Sequence, residues 1–288
     1  MNAIQFLYHT RAGRLLLPLL THRKVSQVCG AFLDSPLSKC LIPGFVRRAG
    51  IDLADFYCED MRCFNDCFSR RIREGLRPVC ADPDSLIAPC DGLLKAYPIE
   101  RDTVLCVKEV PYTVTQLLRS AELAARYEGG TCLVFRLCVE HYHRYCYIET
   151  GEKGENVFLP GVLHTVRPAA LRARPVFAEN CREYTLIQTA RFGTILQMEV
   201  GAMLVGRIVN LHGPGHVARG AEKGMFQYGG SSIVVLLEKG APRVNEAYFA
   251  AGREGGEVPV RMGQSLMQPI LGSFSHSFSE KIVKIHES

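Results

Sequence analysis

Residues 222–240 read EKGMFQYGGSSIVVLLEKG, and within them a Gly-Gly-Ser-Ser turn leads directly into an apolar strand. Glycine supplies the positive φ that tight turns need, and serine bonds locally to the backbone, so the pattern is typical of an ordinary turn before a strand. The same arrangement also permits self-cleavage. If the turn is strained and a base lies beside Ser231, its Oγ can attack the Gly230 carbonyl and convert the amide to an ester.

Such an ester can eliminate to dehydroalanine, and hydrolysis of the dehydroalanine leaves a pyruvoyl group on the new N-terminus. The small Gly230 leaves its carbonyl accessible to this attack. The residues alone therefore leave two alternatives open, an intact turn and a cleavage site.

Outward from this stretch, short apolar runs bounded by proline and glycine extend from about residue 86 onward, and such runs predict strands. The candidate strands are residues 103–107, 131–139, 141–148, 195–200, 203–209, 232–237 and 258–261. One helix is predicted among them, residues 115–127, because its leucines and alanines share one side and Gly129 and Gly130 follow as a stop. With helices first and a mainly antiparallel β body after them, the predicted fold class is α+β.

Residues 1–57 alternate apolar patches with basic residues, which predicts short amphipathic helices. Two alternatives stay open for these helices: they lie in a membrane interface, or they pack on their own domain. The longest early apolar run, residues 15–20, is far shorter than the ~20 residues that span a bilayer, so no transmembrane helix is predicted. With no secretory signal in view, we expect a peripheral membrane protein on the cytoplasmic face that is not secreted.

The composition excludes several classes of protein. Of the 288 residues 47% are hydrophobic, enough for a substantial core, which excludes a disordered chain. The net charge of +5 is spread along the chain, which argues against a nucleic-acid partner and agrees with a mild attraction to anionic membranes. Twelve irregularly spaced cysteines indicate a reducing compartment. Cys58, Cys63 and Cys67 contain no CxxC pair and are interpreted as small buried residues, so no metal site is predicted.

The stretch 222–240 resembles the processing motif of the phosphatidylserine decarboxylase family, Leu-Gly-Ser-Thr and its variants. Seven further segments resemble the same family in the same order, and together with 222–240 they span roughly residues 60–240. They are FNDCFSRRIREGLRP (64–78), APCDG (88–92), VKEVPYTVTQLL (107–118), HYHRYCYIETG (141–151), GVLHTVRP (161–168), FAENCRE (177–183) and VGAMLVGRI (200–208).

This resemblance implies an enzyme that converts phosphatidylserine to phosphatidylethanolamine and carbon dioxide. The catalytic domain, residues 58–288, is expected to cut itself between Gly230 and Ser231 into a β chain, residues 1–230, and an α chain, residues 231–288. Its only cofactor would be the pyruvoyl group derived from Ser231, which forms a Schiff base with the substrate amine and serves as electron sink. Partners would be the lipid, an anionic membrane surface and the companion chain, with a homodimer left open.

Site residues follow from the same resemblance. Asp91, His143 and Ser231 would form a relay in which the carboxylate orients the imidazole that takes the Ser231 proton. His143 would also protonate the α-carbon after decarboxylation, and Arg144 would bind the phosphodiester. Without the family context, Asp91 before Gly92 is a common turn residue, and the two histidines 141 and 143 are a metal pair or ordinary core and surface residues.

The chain departs from the family at Cys146, where a second histidine is usual. A thiol with an ordinary pKa of about 8.5 is a poor base near pH 7. His164 stands where the family often has serine, so we expect Asp91 to pair with either His143 or His164 for cleavage, with His143 favoured and the other histidine serving decarboxylation. Two alternative functions remain: a family member that acts on a soluble amino acid or headgroup, and a non-catalytic β-rich binding module.

Overall fold

A computed structural model describes residues 3–59, 61–100, 113–165, 170, 173, 175–202, 207–227, 231–242 and 244–267. Helices come first and a mainly antiparallel β body follows, which confirms the predicted α+β class. Gly230 of the predicted cleavage site and the predicted strand at 103–107 lie outside the described residues.

The N-terminal region is a series of short helices, as the sequence predicts. In chain order its elements are α1 (Ala3–His9), α2 (Arg11–Leu20), α3 (Arg23–Leu33), a 3₁₀ helix (Pro36–Leu41), α4 (Ile42–Ala49) and a second 3₁₀ helix (Leu53–Asp55). Thr10 caps α2 by accepting a hydrogen bond from the Gly13 amide. No helix in the described part of the chain is long and apolar enough to cross a membrane.

Each part of this region buries one side against the rest of the chain. Tyr8 and Leu17 belong to the main core, where they join Phe177 and Val200 among others. The later helices contribute to a separate cluster with α5 (Phe64–Phe68). Members of that cluster include Leu33, Ile42, Phe45, Phe64, Cys67 and Phe68.

The body is built on a nine-stranded sheet. Its strands are β3 (Gly92–Pro98), β4 (Thr131–Leu137), β6 (Gly151–Lys153), β7 (Val157–Leu159), β8 (Arg182–Gln188), β9 (Thr194–Val200), β11 (Gly215–Val217), β13 (Ser231–Leu237) and β14 (Val258–Val260). The spatial order is β11-β6-β8-β9-β13-β4-β3-β14, with β7 also paired to β8. A two-stranded ribbon, β1 (Phe56–Tyr57) and β2 (Arg71–Ile72), lies apart from it.

A second sheet of three strands covers one face of the large sheet. It consists of β5 (Arg144–Cys146), β10 (Ile208–Asn210) and β12 (Glu222–Phe226), in the order β10-β12-β5. Tyr145 and Phe226 from this sheet pack with Phe135 and Ile233 of the large one. A fully buried ion pair adds to the contact, because Lys223 Nζ lies 2.6 Å from Glu199 Oε2.

Several predicted elements agree with the structure and others need correction. The predictions at 131–139, 195–200, 232–237 and 258–261 coincide with β4, β9, β13 and β14 to within two residues. The prediction at 141–148 was too long, because residues 138–143 form a turn in which the His141 amide donates to the Cys138 carbonyl. Of the prediction at 203–209, residues 203–206 lie outside the described part and only β10 is seen.

The single helix predicted at 115–127 is wrong. The structure has α6 (Val114–Leu118) and α7 (Ala121–Arg126), separated at Arg119, which adopts a left-handed φ of 53°. The Ser120 side chain accepts a hydrogen bond from the Leu123 amide and starts the second helix. Among the other helices in the described part of the chain, α5, α8 (Val176–Glu179) and α9 (Glu246–Glu254) were not predicted.

Candidate active site

The central strand β13 places Ser231 at one edge of the large sheet. Ser231 is the first residue of β13 and pairs with Leu137, the last residue of β4. On the other side of β4, β3 begins at Gly92, where an added Cβ would lie 3.0 Å from the Arg136 carbonyl oxygen. Asp91 therefore reaches the same edge as Ser231, two strands away, or roughly 10 Å between backbones.

The Ser231 side chain faces the second sheet. Side chains alternate along a strand, and Ile233 and Val235 belong to the cluster that contains Tyr145 and Phe226. Ser232 therefore faces the opposite side. Both Oγ atoms are buried and have no hydrogen-bond partner among the described residues. Buried hydroxyls nearly always have a partner, so this edge of the sheet is unusual.

His143 lies where the chain passes from β4 into the second sheet. Its carbonyl accepts a hydrogen bond from the amide of Phe226, the last residue of β12, and the chain continues from Phe226 towards Ser231. The backbone that carries the histidine is thereby fixed to the strand that leads into the predicted cleavage site.

The ring of His143 is a buried, neutral base. Its Nδ1 lies 2.9 Å from the His141 carbonyl oxygen, and because a carbonyl only accepts, Nδ1 carries the proton. Nε2 then holds the lone pair, and it has no partner among the described residues. The pKa of His143 is lowered to about 3, chiefly by burial and in addition by the nearby charge of Arg70. The Phe68 ring lies 4.0 Å away between centroids.

Asp91 is paired with an arginine and not with a histidine. Arg77 binds both carboxylate oxygens, Nε to Oδ1 at 2.8 Å and Nη2 to Oδ2 at 2.5 Å, and the Met262 amide donates to Oδ1. Within the described residues no hydrogen bond joins Asp91 to His143 or His164, so the expected carboxylate–imidazole contact is not formed in this structure. Arg77 was not predicted as a site residue, although it is the next-to-last residue of the family-like segment 64–78.

Cys146 occupies a position close to the Asp91 segment. Its amide donates to the Pro89 carbonyl at 2.8 Å, and its side chain is buried. Burial raises the pKa of the Cys146 thiol to about 12, with a further contribution from the charge of Asp91. The thiol is therefore protonated at neutral pH, as expected for a poor base.

His164 lies on the other side of β13, next to the N-terminal helices. Its Nδ1 is 3.0 Å from the Tyr8 hydroxyl, and its Nε2 is 3.1 Å from Glu179 Oε2. Asn180 donates to the carbonyls of both His164 and Gly201, and Gly201 follows the residue of β9 that pairs with Ser232. The carboxylate beside this histidine is thus Glu179, which the sequence did not reveal as a partner.

Arg144 joins the second sheet to the end of α5. Its Nη1 lies 2.6 Å from Glu222 Oε1, and its Nε donates to the Ser69 carbonyl. The role of Arg144 in binding a phosphodiester stays a prediction. Among the described residues no group of three histidine, cysteine, aspartate or glutamate side chains is arranged to hold a metal ion.

Comparison with known proteins decides the family. The family model described as phosphatidylserine decarboxylase matches residues 64–268, which include every site residue described above except Tyr8. The chain belongs to the phosphatidylserine decarboxylase family. The resemblance inferred from the sequence is thereby confirmed, and so is the enzyme class, a carboxy-lyase.

Relatives in this family match almost from end to end. The phosphatidylserine decarboxylase proenzyme 2 of Clostridium acetobutylicum is 37% identical over 264 residues, which is 91% of this chain and 90% of the relative. A phosphatidylserine decarboxylase proenzyme of Ruminiclostridium cellulolyticum is 36% identical and covers 90% of this chain and 89% of its own length.

The buried, neutral state of His143 predicts a specific pH dependence of stability. As the pH falls from 6.5 towards 3, the unfolded chain binds a proton at residue 143 that the folded chain does not bind, so this histidine lowers the free energy of unfolding in acid. In a Ser231→Ala background, His143→Gln should make that decline shallower, measured by urea unfolding at several pH values. The exposed His216 supplies the control His216→Gln. Parallel declines in the parent and the His143 variant would contradict the prediction.

Proposed function

We propose that this protein decarboxylates phosphatidylserine to phosphatidylethanolamine with a pyruvoyl group made from its own Ser231. The observation that carries the proposal is that two buried atoms, Ser231 Oγ and His143 Nε2, have no hydrogen-bond partner among the residues that the structure describes. Ser231 is the first residue of the central strand, and its hydroxyl faces the second sheet, which the chain enters directly after His143. A nucleophile without a partner and a neutral base at one sheet edge suit attack on the preceding carbonyl.

In the first step His143 Nε2 takes the proton of Ser231 Oγ as the oxygen attacks the Gly230 carbonyl. The proton then passes to the Ser231 nitrogen as the amide becomes an ester. The neutral imidazole has a lone pair on Nε2 for the serine proton, and because the pKa of His143 is low, the protonated ring passes that proton on readily to the Ser231 nitrogen. Elimination frees the Gly230 carboxylate, and hydrolysis releases the Ser231 nitrogen as ammonia.

The fit of a pyruvoyl group rests on Ser231, because the new N-terminus would remain at the start of a strand bonded on both sides by β4 and β9. A pyruvoyl group held at the start of β13 would supply a carbonyl that serves as the electron sink for decarboxylation of an amine substrate. Asp91 of the β chain would bind the α chain, because its carboxylate accepts a hydrogen bond from the amide of Met262, which lies in residues 231–288. The remaining histidine would return a proton to the α-carbon.

The first prediction concerns the cleavage itself. The wild-type protein should separate into residues 1–230 and 231–288 on a denaturing gel. The intact mass of the smaller chain should be lower than its sequence mass by one ammonia. Ser231→Ala should stay uncut. Ser232→Ala is the matched control, because that hydroxyl is equally buried but faces the other side, and it should be cut normally. A wild-type protein that is fully active as one unbroken chain would rule out the mechanism.

The second prediction assigns the base. His143→Ala should remain uncut, since it removes the imidazole on the Ser231 side, whereas His164→Ala should be cut but decarboxylate more slowly. Cys146→Ala should be cut at the wild-type rate because its thiol is protonated. Cleavage is scored by gel and decarboxylation by carbon dioxide release from phosphatidylserine vesicles. If both histidine variants are cut normally and Cys146→Ala is not, the thiol is the base.

The same wild-type protein and the same two assays distinguish the two alternative functions. Release of carbon dioxide from free serine or phosphoserine, with none from phosphatidylserine, would indicate a family member for soluble substrates. An uncut and inactive wild-type chain would indicate a binding module.

We also propose that the N-terminal region holds the protein on an anionic membrane surface, on the cytoplasmic face. Successive helices expose apolar residues four positions apart, and residues at that spacing share one side of a helix. Leu15 and Leu19 of α2 are 82% and 63% exposed, and Val28 of α3 is 72% exposed with Phe32 beside it. Together with the basic residues of 1–57, this surface suits an interface of lipid headgroups.

Membrane binding is tested with vesicles of phosphatidylcholine and phosphatidylglycerol, since the latter lipid is anionic but is not the proposed substrate. The double variant Leu15→Glu with Leu19→Glu should reduce co-sedimentation with these vesicles, because charged side chains at these positions would not enter the apolar interior of the membrane. The control is Val157→Glu with Leu211→Glu, which changes exposed apolar residues of the β body. Unchanged binding by the α2 variant would show that these helices are only structural.

A further inference from the structure

Arg70 is a buried cation that no carboxylate neutralises within ion-pair distance in the described part of the chain. It is only 2% exposed, and its guanidinium lies 4.4 Å from the centre of the Phe56 ring. Its hydrogen bonds go to backbone carbonyls. Nη2 donates to Glu140 at 3.0 Å and to His141 at 3.2 Å, and Nη1 donates to Cys67 at 3.4 Å. A buried charge is costly, so such an arrangement calls for a reason.

The His141 carbonyl connects Arg70 to the proposed base. It accepts one hydrogen bond from Arg70 Nη2 and a second from His143 Nδ1. A carbonyl has two lone pairs and can accept both. From the same segment as Arg70, the Phe68 ring packs against the His143 ring. Residues 68 and 70 thus determine both the position of the ring and the direction of its hydrogen bond.

The rigid fork of an arginine suits this task. Its planar donors hold the two carbonyls of Glu140 and His141 in one orientation, so the His141 oxygen cannot turn away from the imidazole. An oxygen held in this way selects the tautomer with the proton on Nδ1 and leaves the lone pair on Nε2. The positive charge of Arg70 also disfavours a second proton on the ring.

We propose that Arg70 is the positioning residue for His143: by holding the His141 carbonyl it keeps the imidazole in the Nδ1–H tautomer, with Nε2 free to act as a base. The effect on cleavage rests on the proposed function, whereas the effect on the tautomer does not. In this arrangement the Arg70-held carbonyl takes the orienting part that the sequence assigned to Asp91.

The matched control lies three residues further along. Arg73 Nε donates to the Ala54 carbonyl, and its guanidinium lies 5.1 Å from the Tyr57 ring, much as Arg70 lies over Phe56. Arg73 is about half exposed and pairs with Glu59 instead of the turn that carries the histidines. Arg73→Met therefore removes the same groups without touching His143.

The first test is ¹⁵N NMR of histidine-labelled protein in a Ser231→Ala background, where the His143 signal is identified by its loss in His143→Gln. The parent and Arg73→Met should show the Nδ1–H tautomer. Arg70→Met should show both tautomers. Arg70→Lys keeps the charge but not the fork and should show an intermediate mixture, and it carries the test if circular dichroism shows that Arg70→Met does not fold. An unchanged tautomer in a folded Arg70 variant would overturn the proposal.

The second test follows self-cleavage during cell-free synthesis of the otherwise wild-type chain. Arg70→Met should slow cleavage by about 100-fold, the cost of a misplaced reacting group, and Arg70→Lys by less. Arg73→Met should be cut at the wild-type rate. If the tautomer changes and the cleavage rate does not, Arg70 still positions the ring, but His143 is not the cleavage base. In that case the proposed function fails at that step while the inference stands.

Discussion

The backbone hydrogen bonds on both sides of β13 are the constraint on which the site depends. β4 and β9 pair with this strand along nearly its whole length, and all seven of its residues are buried. Ser231 is therefore held at the start of a strand that cannot shift its register without moving the core. A chain cut just before Ser231 would keep this strand in the middle of the sheet, because the ladder does not depend on the peptide bond at 230–231.

Burial, together with the charges around that edge, keeps the imidazole of His143 neutral. Asp91 is neutralised by Arg77, whereas the hydrogen bonds of Arg70 to described residues go to carbonyls, so the charge of Arg70 disfavours protonation of His143. Burial acts in the same direction on the pKa of His143. A neutral ring with a free lone pair is the form that can accept a proton from a hydroxyl, whereas a histidine paired directly with a carboxylate would hold its proton more firmly.

The N-terminal helices connect to the site through their buried sides. Tyr8 of α1 bonds to the ring of His164, and the Thr21 carbonyl after α2 accepts from the Leu163 amide. The apolar residues on the opposite side of α2 remain exposed. The same helices thus contact the segment around His164 on one side and present an apolar surface on the other.

The sequence by itself determined four strands of the large sheet (β4, β9, β13 and β14), the order of the family segments and the absence of a second histidine at Cys146. Strand and turn patterns are local, and an apolar run such as β13 is buried in almost any fold that contains it. Only the tertiary structure decided that Asp91 pairs with Arg77, that Glu179 stands beside His164, and that Arg70 and His143 share one carbonyl. It also decided that Arg119 interrupts a helix. The site partners lie between 14 and 73 residues apart or meet at a turn, and such contacts depend on how whole strands and helices pack, which no local pattern specifies.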